Sequence, residues 1–207
     1  MAVQCEMPKA VASHAADFPD PPMDMRTASG PQHAVLSGGC FWCTEAVYRQ
    51  LDGVLNVISV YTGGSAETAN YAAVSSGTTE HAEAVAIEYD PTRLSFGVIL
   101  KAFFSAAHDP TQVDRQGDDH GRHYRSAIFY ASEEQKKIAQ AYIDLLNGSA
   151  VFDASMATVL EPLGAVYPAE AEFQNYVARN PTDPYVVKNS LPKVEKLRAR
   201  FAGQLKS

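Results

Sequence analysis

Apolar and polar positions along this chain repeat with two different periods, and the changes of period mark its elements. HAVLSG (33–38) is a short apolar run stopped by glycine, the pattern of a buried strand. Residues 40–52 then carry Phe41, Val47, Tyr48 and Leu51 at helical spacing before Gly53. VLNVISVYTGG (54–64) is rich in β-branched residues and closes on a glycine pair, so it predicts a strand and a loop. EAVAIEY (83–89) predicts another strand, and its period of two puts Glu83, Val85, Ile87 and Tyr89 on one face.

The second half repeats the alternation. Ser95 is placed to cap a helix over FGVILKAFFSAAH, and residues 108–123 read as a polar loop with three histidines. YRSAIFYA (124–131) predicts a strand. Ser132 and Gln135 form an S-x-x-Q capping box for a helix through Leu146, ended by Gly148. A strand at 157–163, a helix near 170–179 and a polar helical tail follow. The order β-α-β, β-α-β predicts an α+β fold. It is a single-domain two-layer sandwich with a ferredoxin-like split β-α-β core and extra helices and loops. Residues 1–32 hold five prolines and little apolar periodicity, and are expected to form a poorly ordered tail before a domain at 33–207.

Composition narrows the function. The 207 residues are 46% hydrophobic and 20% charged, enough for one well-filled core. The formal charge of −7 disfavours nucleic acid, whose phosphates need a basic face. No apolar run approaches the roughly 18 residues of a membrane span. The N-terminus has no secretory pattern, so a cytoplasmic protein is expected. Cys5, Cys40 and Cys43 are too few for a disulfide-stapled fold, and C-x-x-C in such a setting points to redox chemistry or metal. Cys5 reads as an incidental exposed thiol.

The chemistry gathers at LSGGCFWCTE (36–45). Gly38 and Gly39 turn the corner between strand and helix, which leaves Cys40 among unpaired N–H groups that favour negative charge. That position is expected to lower the Cys40 pKa, unless the residue is a packed, inert thiol. Positions three apart on a helix face have Cβ atoms about 5–6 Å apart, and a disulfide wants about 3.5–4.5 Å. Cys40 and Cys43 can therefore join after a small distortion at a fraying helix end, leaving a reducible bond. Phe41 and Trp42 are either core fillers or an apolar wall for a small group such as an S-methyl. Glu83, on an apolar strand face, is either solvent-facing or desolvated with a raised pKa, fit to donate a proton. Tyr61 and Tyr124 can donate hydrogen bonds to an oxygen. Asp118, Asp119, His120 and His123 crowd one loop, and His120 and His123 with Cys40 and Cys43 form a zinc set on paper, although the spacing is not that of a known finger. A general thiol–disulfide exchanger and a zinc-stabilised binding module stand as alternatives.

These residues resemble the A-type peptide methionine sulfoxide reductases. The matching stretches include GCFWCTE (39–45), VYTGG (60–64), NYAAVSSG (70–77), HAEAVAIEYDP (81–91), FFSAAHDPTQVDRQGDDHGRHYRSAIFY (103–130) and VYPAEAEFQNY (166–176). The resemblance implies reduction of methionine S-sulfoxide, protein-bound or free, by a monomer with no cofactor and no metal. Cys40 would attack the sulfoxide sulfur and Glu83 would protonate its oxygen, with Tyr61 and Tyr124 holding it. Phe41 and Trp42 would line the methyl pocket, and Asp119 and His120 would orient the substrate. Cys40 becomes a sulfenic acid, and a disulfide that thioredoxin reduces follows. The chain departs from the family pattern in three places. Cys43 replaces a common glycine and, with no later cysteine, is the natural resolving thiol. Glu80 replaces another glycine and is expected to add charge near the acid. Ala171, Glu172 and Phe173 replace an acidic-aromatic-histidine run.

Overall fold

The computed structural model describes residues 18–25 and 29–206, so Cys5 and most of the expected tail lie outside the described residues. One mixed six-stranded sheet organises the domain. Its strands are β1 (Gln32–Gly38), β2 (Val54–Thr62), β3 (Ala82–Tyr89), β6 (Ser126–Tyr130), β7 (Val159–Pro162) and β8 (Val166–Pro168). A two-stranded hairpin, β4 (Arg115–Gln116) with β5 (Asp119–His120), stands apart. The sheet order is β7-β6-β1-β3-β2-β8. β3 pairs antiparallel with both β1 and β2, so those two run parallel on either side of it. β7 pairs parallel with β6, after the crossover through α4 (Glu133–Gly148).

The helices follow from the same periodicities. Along α4, Ile138, Ala139, Tyr142, Ile143 and Leu146 are buried, a stripe of helical spacing against the main core. Ser132 accepts the Gln135 N–H at 3.2 Å, while the Gln135 side chain accepts from Ala131 at 2.8 Å and donates to the His33 carbonyl at 2.8 Å. The capping pair thus also fastens α4 to β1. Leu36, Tyr61, Val85, Ile87 and Tyr89 meet the helices in the main cluster, and a smaller one, including Val35, Val60, Ala84 and Phe129, covers the opposite sheet face.

Several local expectations change. The Ser95-capped helix, α3 (Phe96–Ala102), gives way at Phe103 to a π-helical turn, Phe103–Ala107, whose Phe103 ring packs 4.1 Å from His108. The polar loop contains the β4–β5 hairpin, turned through Gly117 at φ +61°. Tyr124 lies in a 3₁₀ turn (Arg122–Tyr124) and not in β6, because its amide closes onto the Gly121 carbonyl at 2.9 Å. The helix expected near 170–179 is broken by Asn175 at φ +52°, which leaves a 3₁₀ turn at Ala171–Phe173 and the short α5 (Tyr176–Arg179). The short α2 (Tyr71–Ser75) and β8 carry too little periodicity to be read in advance. Within the N-terminal segment, Asp24 accepts the Gly97 N–H at 2.8 Å and Pro19 accepts the Tyr142 hydroxyl at 2.6 Å, so residues 18–25 are fastened to α3 and α4.

The corner before α1 (Phe41–Tyr48) is where backbone geometry is least replaceable. Gly39 sits at φ +83°, and a Cβ there would stand 2.6 Å from the Gln116 side chain. Gln116 is itself fixed by a two-way amide clasp with the Asp109 backbone at 3.0 Å each. Gly39→Ala is expected to lower unfolding free energy by roughly 2 kcal/mol or more, read as a shifted denaturant midpoint at unchanged slope. An unchanged midpoint refutes this account of the corner.

Candidate active site

Cys40 occupies the N-cap of α1 with non-helical dihedrals (φ −52°, ψ 125°), so the thiol leaves the helix at its mouth. It opens on a cavity of about 400 Å³ shared with Phe41, Trp42, Glu83, Asp119 and Tyr124. Four residues that sequence reasoning missed complete the wall: Tyr71, Tyr176, Asp183 and Tyr185. A larger cleft of about 550 Å³, between the π turn Phe103–Ala107 and α6 (Leu191–Arg200), carries Lys193 and Lys196 but no thiol.

Glu83 lies on the main-core face of β3 and is 2% exposed. Its carboxyl accepts the Phe41 N–H at 3.1 Å, which joins the strand to the first turn of α1. Burial pushes the Glu83 pKa up to about 8 against the pull of that N–H, and the Asp119 and Cys43 charges push the same way. Near neutrality it is a carboxylic acid with a proton to give.

The expected low-pKa Cys40 is not found. Cys40 is 6% exposed, and burial holds its pKa well above the ordinary thiol value, reinforced by Cys43 and by Glu83. These effects exceed the helix-mouth dipole, because they act at closer range in a site from which water is largely excluded. Cys43 is lowered, chiefly by its hydrogen bond with Cys40 and further by Lys193 and Ser190. Both are free thiols and both are buried, so at rest the proton of the pair belongs to Cys40.

Trp42 stacks on Tyr176 at 3.8 Å between ring centroids and meets Tyr185 edge-on at 5.7 Å. Phe41 is fully packed, 5.6 Å from Tyr61 and 6.2 Å from Phe173, so its ring is part of the core although the residue borders the cavity. Two carboxyl anchors, one buried and one partly exposed, hold these rings. Glu45, 1% exposed, accepts the Asn175 N–H at 2.9 Å, the Ser59 hydroxyl at 3.2 Å and Arg49 at 2.7 Å. Glu170 accepts the Tyr61 hydroxyl at 2.9 Å and the Tyr71 N–H at 2.8 Å. Tyr185 donates its hydroxyl to the Asp119 carboxylate and shares the cavity wall with Cys40.

The remaining predicted residues divide. Tyr124 lines the cavity, and neither its hydroxyl nor that of Tyr71 has a hydrogen-bond partner among the described residues. Tyr61 is fully buried, with its hydroxyl committed to Glu170, and Tyr71 takes the cavity-facing place expected for it. His120 is exposed on β5 outside the cavity, and His123 is buried against Gly121 and Tyr124, so the paper zinc set of these two with Cys40 and Cys43 is not assembled. Among the described residues no group of three or more His, Cys, Asp or Glu could hold a metal ion. Glu80 does not charge the acid's surroundings, because its exposed carboxylate pairs with Arg122. Tyr176 and Tyr185 gave no local signal in sequence, since they reach the site only through the fold of residues 170–190.

Comparison with known proteins supplies an independent finding. The family profile described as peptide methionine sulfoxide reductase matches residues 32–205. The chain is similar to peptide methionine sulfoxide reductase MsrA 2 of Synechocystis sp., 51% identical over 194 residues that cover 92% of this chain and 91% of that one. It is 46% identical over 172 residues to the MsrA of Haloquadratum walsbyi, covering 83% of this chain and 97% of the relative. Among solved structures, Mxr1 of Saccharomyces cerevisiae in reduced form matches at a TM-score of 0.69 and 29% identity, over 78% of this chain and 92% of that one. Methionine sulfoxide reductase A of Corynebacterium diphtheriae matches at 0.63 and 29%, over 82% and 85%.

The raised Glu83 pKa has a thermodynamic consequence. Between about pH 4.5 and 8 the folded state holds a proton that the unfolded state has lost, so stability falls as pH rises through that window. Glu83→Gln is expected to remove this slope and to gain on the order of a few kcal/mol relative to wild type at pH 8.5. Parallel stability–pH curves for the two proteins would contradict a buried, protonated Glu83.

Proposed function

The chain belongs to the peptide methionine sulfoxide reductase family as an A-type peptide-methionine (S)-S-oxide reductase, and from that premise we propose how its own residues carry out and complete the reaction. The observation that carries the proposal is the opening of the Cys40 thiol and the protonated Glu83 carboxyl onto one cavity beside the Trp42 ring. Substrate sulfoxide, free or in an oxidised protein, sits with its methyl against Trp42 and its oxygen toward Glu83, Tyr124 and Tyr71. Glu83 gives its proton to that oxygen, which makes the sulfur electrophilic, and takes the Cys40 proton in return. The Cys40 sulfur attacks, the oxygen passes to it, and methionine leaves. Cys40 is oxidised to a sulfenic acid by two electrons as the sulfoxide is reduced by two.

Resolution falls to Cys43. Its sulfur attacks Cys40, the S–O bond breaks, and the oxygen leaves as water after taking a proton from Glu83 or solvent. Thioredoxin then reduces the Cys40–Cys43 disulfide by exchange. The non-helical dihedrals of Cys40 support this reading, since an N-cap residue outside the helix can approach the thiol three positions on without unwinding α1. We place this chemistry in the cytoplasm, where thioredoxin stays reduced, and in a monomer. The order β6-β1-β3-β2, with α1 following β1, supports a ferredoxin-like split β-α-β reading of the scaffold. A general disulfide exchanger would have no use for a buried acid beside its thiol.

Reduced protein mixed with excess methionine S-sulfoxide and no reductant is expected to yield about one methionine per chain with Cys40 and Cys43 linked. Cys40→Ser yields none. Cys43→Ser yields the single methionine but does not turn over with thioredoxin, and sustained turnover by that variant would exclude Cys43 as the resolving thiol. Tyr71→Phe is expected to cost about tenfold in the rate of methionine release, from one lost hydrogen bond to the developing charge. Tyr61→Phe, whose hydroxyl is spent on Glu170, loses less, and the reverse ranking refutes the assignment.

A further inference from the structure

The Cys43 sulfur is not simply buried behind Cys40; it has a built seat. Cys43 is 1% exposed, and its Sγ lies 3.1 Å from the Ser190 Oγ, a hydroxyl that is itself fully buried. Ser190 closes the π turn Val186–Ser190, which runs without a break into α6. It has no side-chain capping bond of its own, so its hydroxyl is free to serve the sulfur. Lys193, in the first turn of α6, acts on the same sulfur from that side and makes no ion pair among the described residues. Nothing in the reduction of the sulfoxide uses these groups, since neither Ser190 nor Lys193 lines the cavity where Cys40 and Glu83 meet.

We propose that Ser190 and Lys193 are positioning residues for the resolving step, holding the Cys43 sulfur in place for its attack on the oxidised Cys40. The proposal rests on the resolving role of Cys43 given above. The Ser190 hydroxyl donates to the sulfur and fixes its direction, and Lys193 stabilises its charge without contact. Opposing them are Asp119 on β5 and Glu83 on β3, while Tyr185 and Cys40 share the hydrogen-bonding around the pair. Glu83 is neutral until its proton is used, so the negative charge facing Cys43 is smallest while the enzyme waits for substrate. In the step itself Cys43 supplies the electron pair, the Cys40 S–O bond breaks, and hydroxide leaves and is protonated to water. Once the sulfur is joined to Cys40 it can no longer take the Ser190 hydroxyl as a thiolate does, so the seat favours the reduced pair.

The test follows methionine and disulfide separately. Reduced protein, freed of reductant, is mixed with excess methionine S-sulfoxide over a range of pH, quenched in acid and assayed for both products against time. Ser190→Ala is expected to release its single methionine at the wild-type rate while disulfide formation slows about tenfold. The midpoint of the disulfide rate against pH should move up by about one pH unit. Ser190→Thr, which keeps the hydroxyl, should restore both, and Lys193→Gln should slow the disulfide roughly threefold. A disulfide rate and pH midpoint equal to wild type in both Ser190→Ala and Lys193→Gln overturns the proposal. If Ser190→Ala loses the first methionine as well, its effect is structural and the Lys193→Gln midpoint decides. Wild-type protein that makes methionine but no Cys40–Cys43 disulfide overturns the resolving role itself, a different failure.

Discussion

The hydrogen bond from the Phe41 amide to the Glu83 carboxyl is the contact on which the rest of the site depends. It joins the acid's strand to the nucleophile's helix, two elements whose residues lie 42 positions apart. An amide at the first turn of a helix lacks an intrahelical acceptor, so it must find one elsewhere when buried. Glu83 meets that need, yet a single N–H is too little to hold a carboxylate ionised against the cost of burial. The result is a carboxyl fixed by one oxygen and still protonated near neutrality. Fixation and protonation usually conflict, because the donors that orient a carboxylate also ionise it. Here one donor is enough for position and too weak to strip the proton.

The aromatic wall depends on charge in the opposite sense. Glu45 and Glu170 are buried or half-buried carboxylates, and each is surrounded by donors from separate parts of the chain. Glu45 draws in residues 174–175 and with them Phe173 and Tyr176, and Glu170 draws in α2 with Tyr71. Gln174 reinforces the first link by exchanging hydrogen bonds with the Ser59 backbone at 2.9 and 2.8 Å. The cavity is therefore roofed by segments with almost no regular structure, which would wander if apolar contact alone held them. Directional bonds to two acids give them one arrangement.

How much of this was readable in sequence follows from range. Strands β1, β2, β3, β6 and β7, α1, α4 and the glycine corner were legible because their signals are local: period, caps and a stop residue. Alternation put Glu83 on the face of Val85, Ile87 and Tyr89 but left open whether that strand end met solvent, and its 2% exposure answers this. The tyrosines were not legible. Tyr61 and Tyr71 are equally polar-tipped, and what separates them is Glu170, about a hundred residues away, which takes the hydroxyl of one and the amide of the other. Cys40 misled for a related reason. A helix mouth is visible in sequence, but the depth at which that mouth is buried is not, and burial decided its proton.

That proton explains why two thiols three residues apart can do different work. A nucleophile left permanently ionised in a cell under oxidative stress is open to peroxide, whose attack needs a thiolate. In the proposed reaction Cys40 keeps its proton until a substrate oxygen engages Glu83, whose loss of a proton to that oxygen makes it the base for the thiol. Activation on that scheme needs the sulfoxide itself. Cys43 can remain ionised at much less risk, because it is buried behind Cys40 and Ser190 and does not line the cavity. In the proposed sequence its target would appear only after the first step has oxidised Cys40. The order proposed for the two steps thus matches which sulfur opens on the cavity and which is held against Ser190.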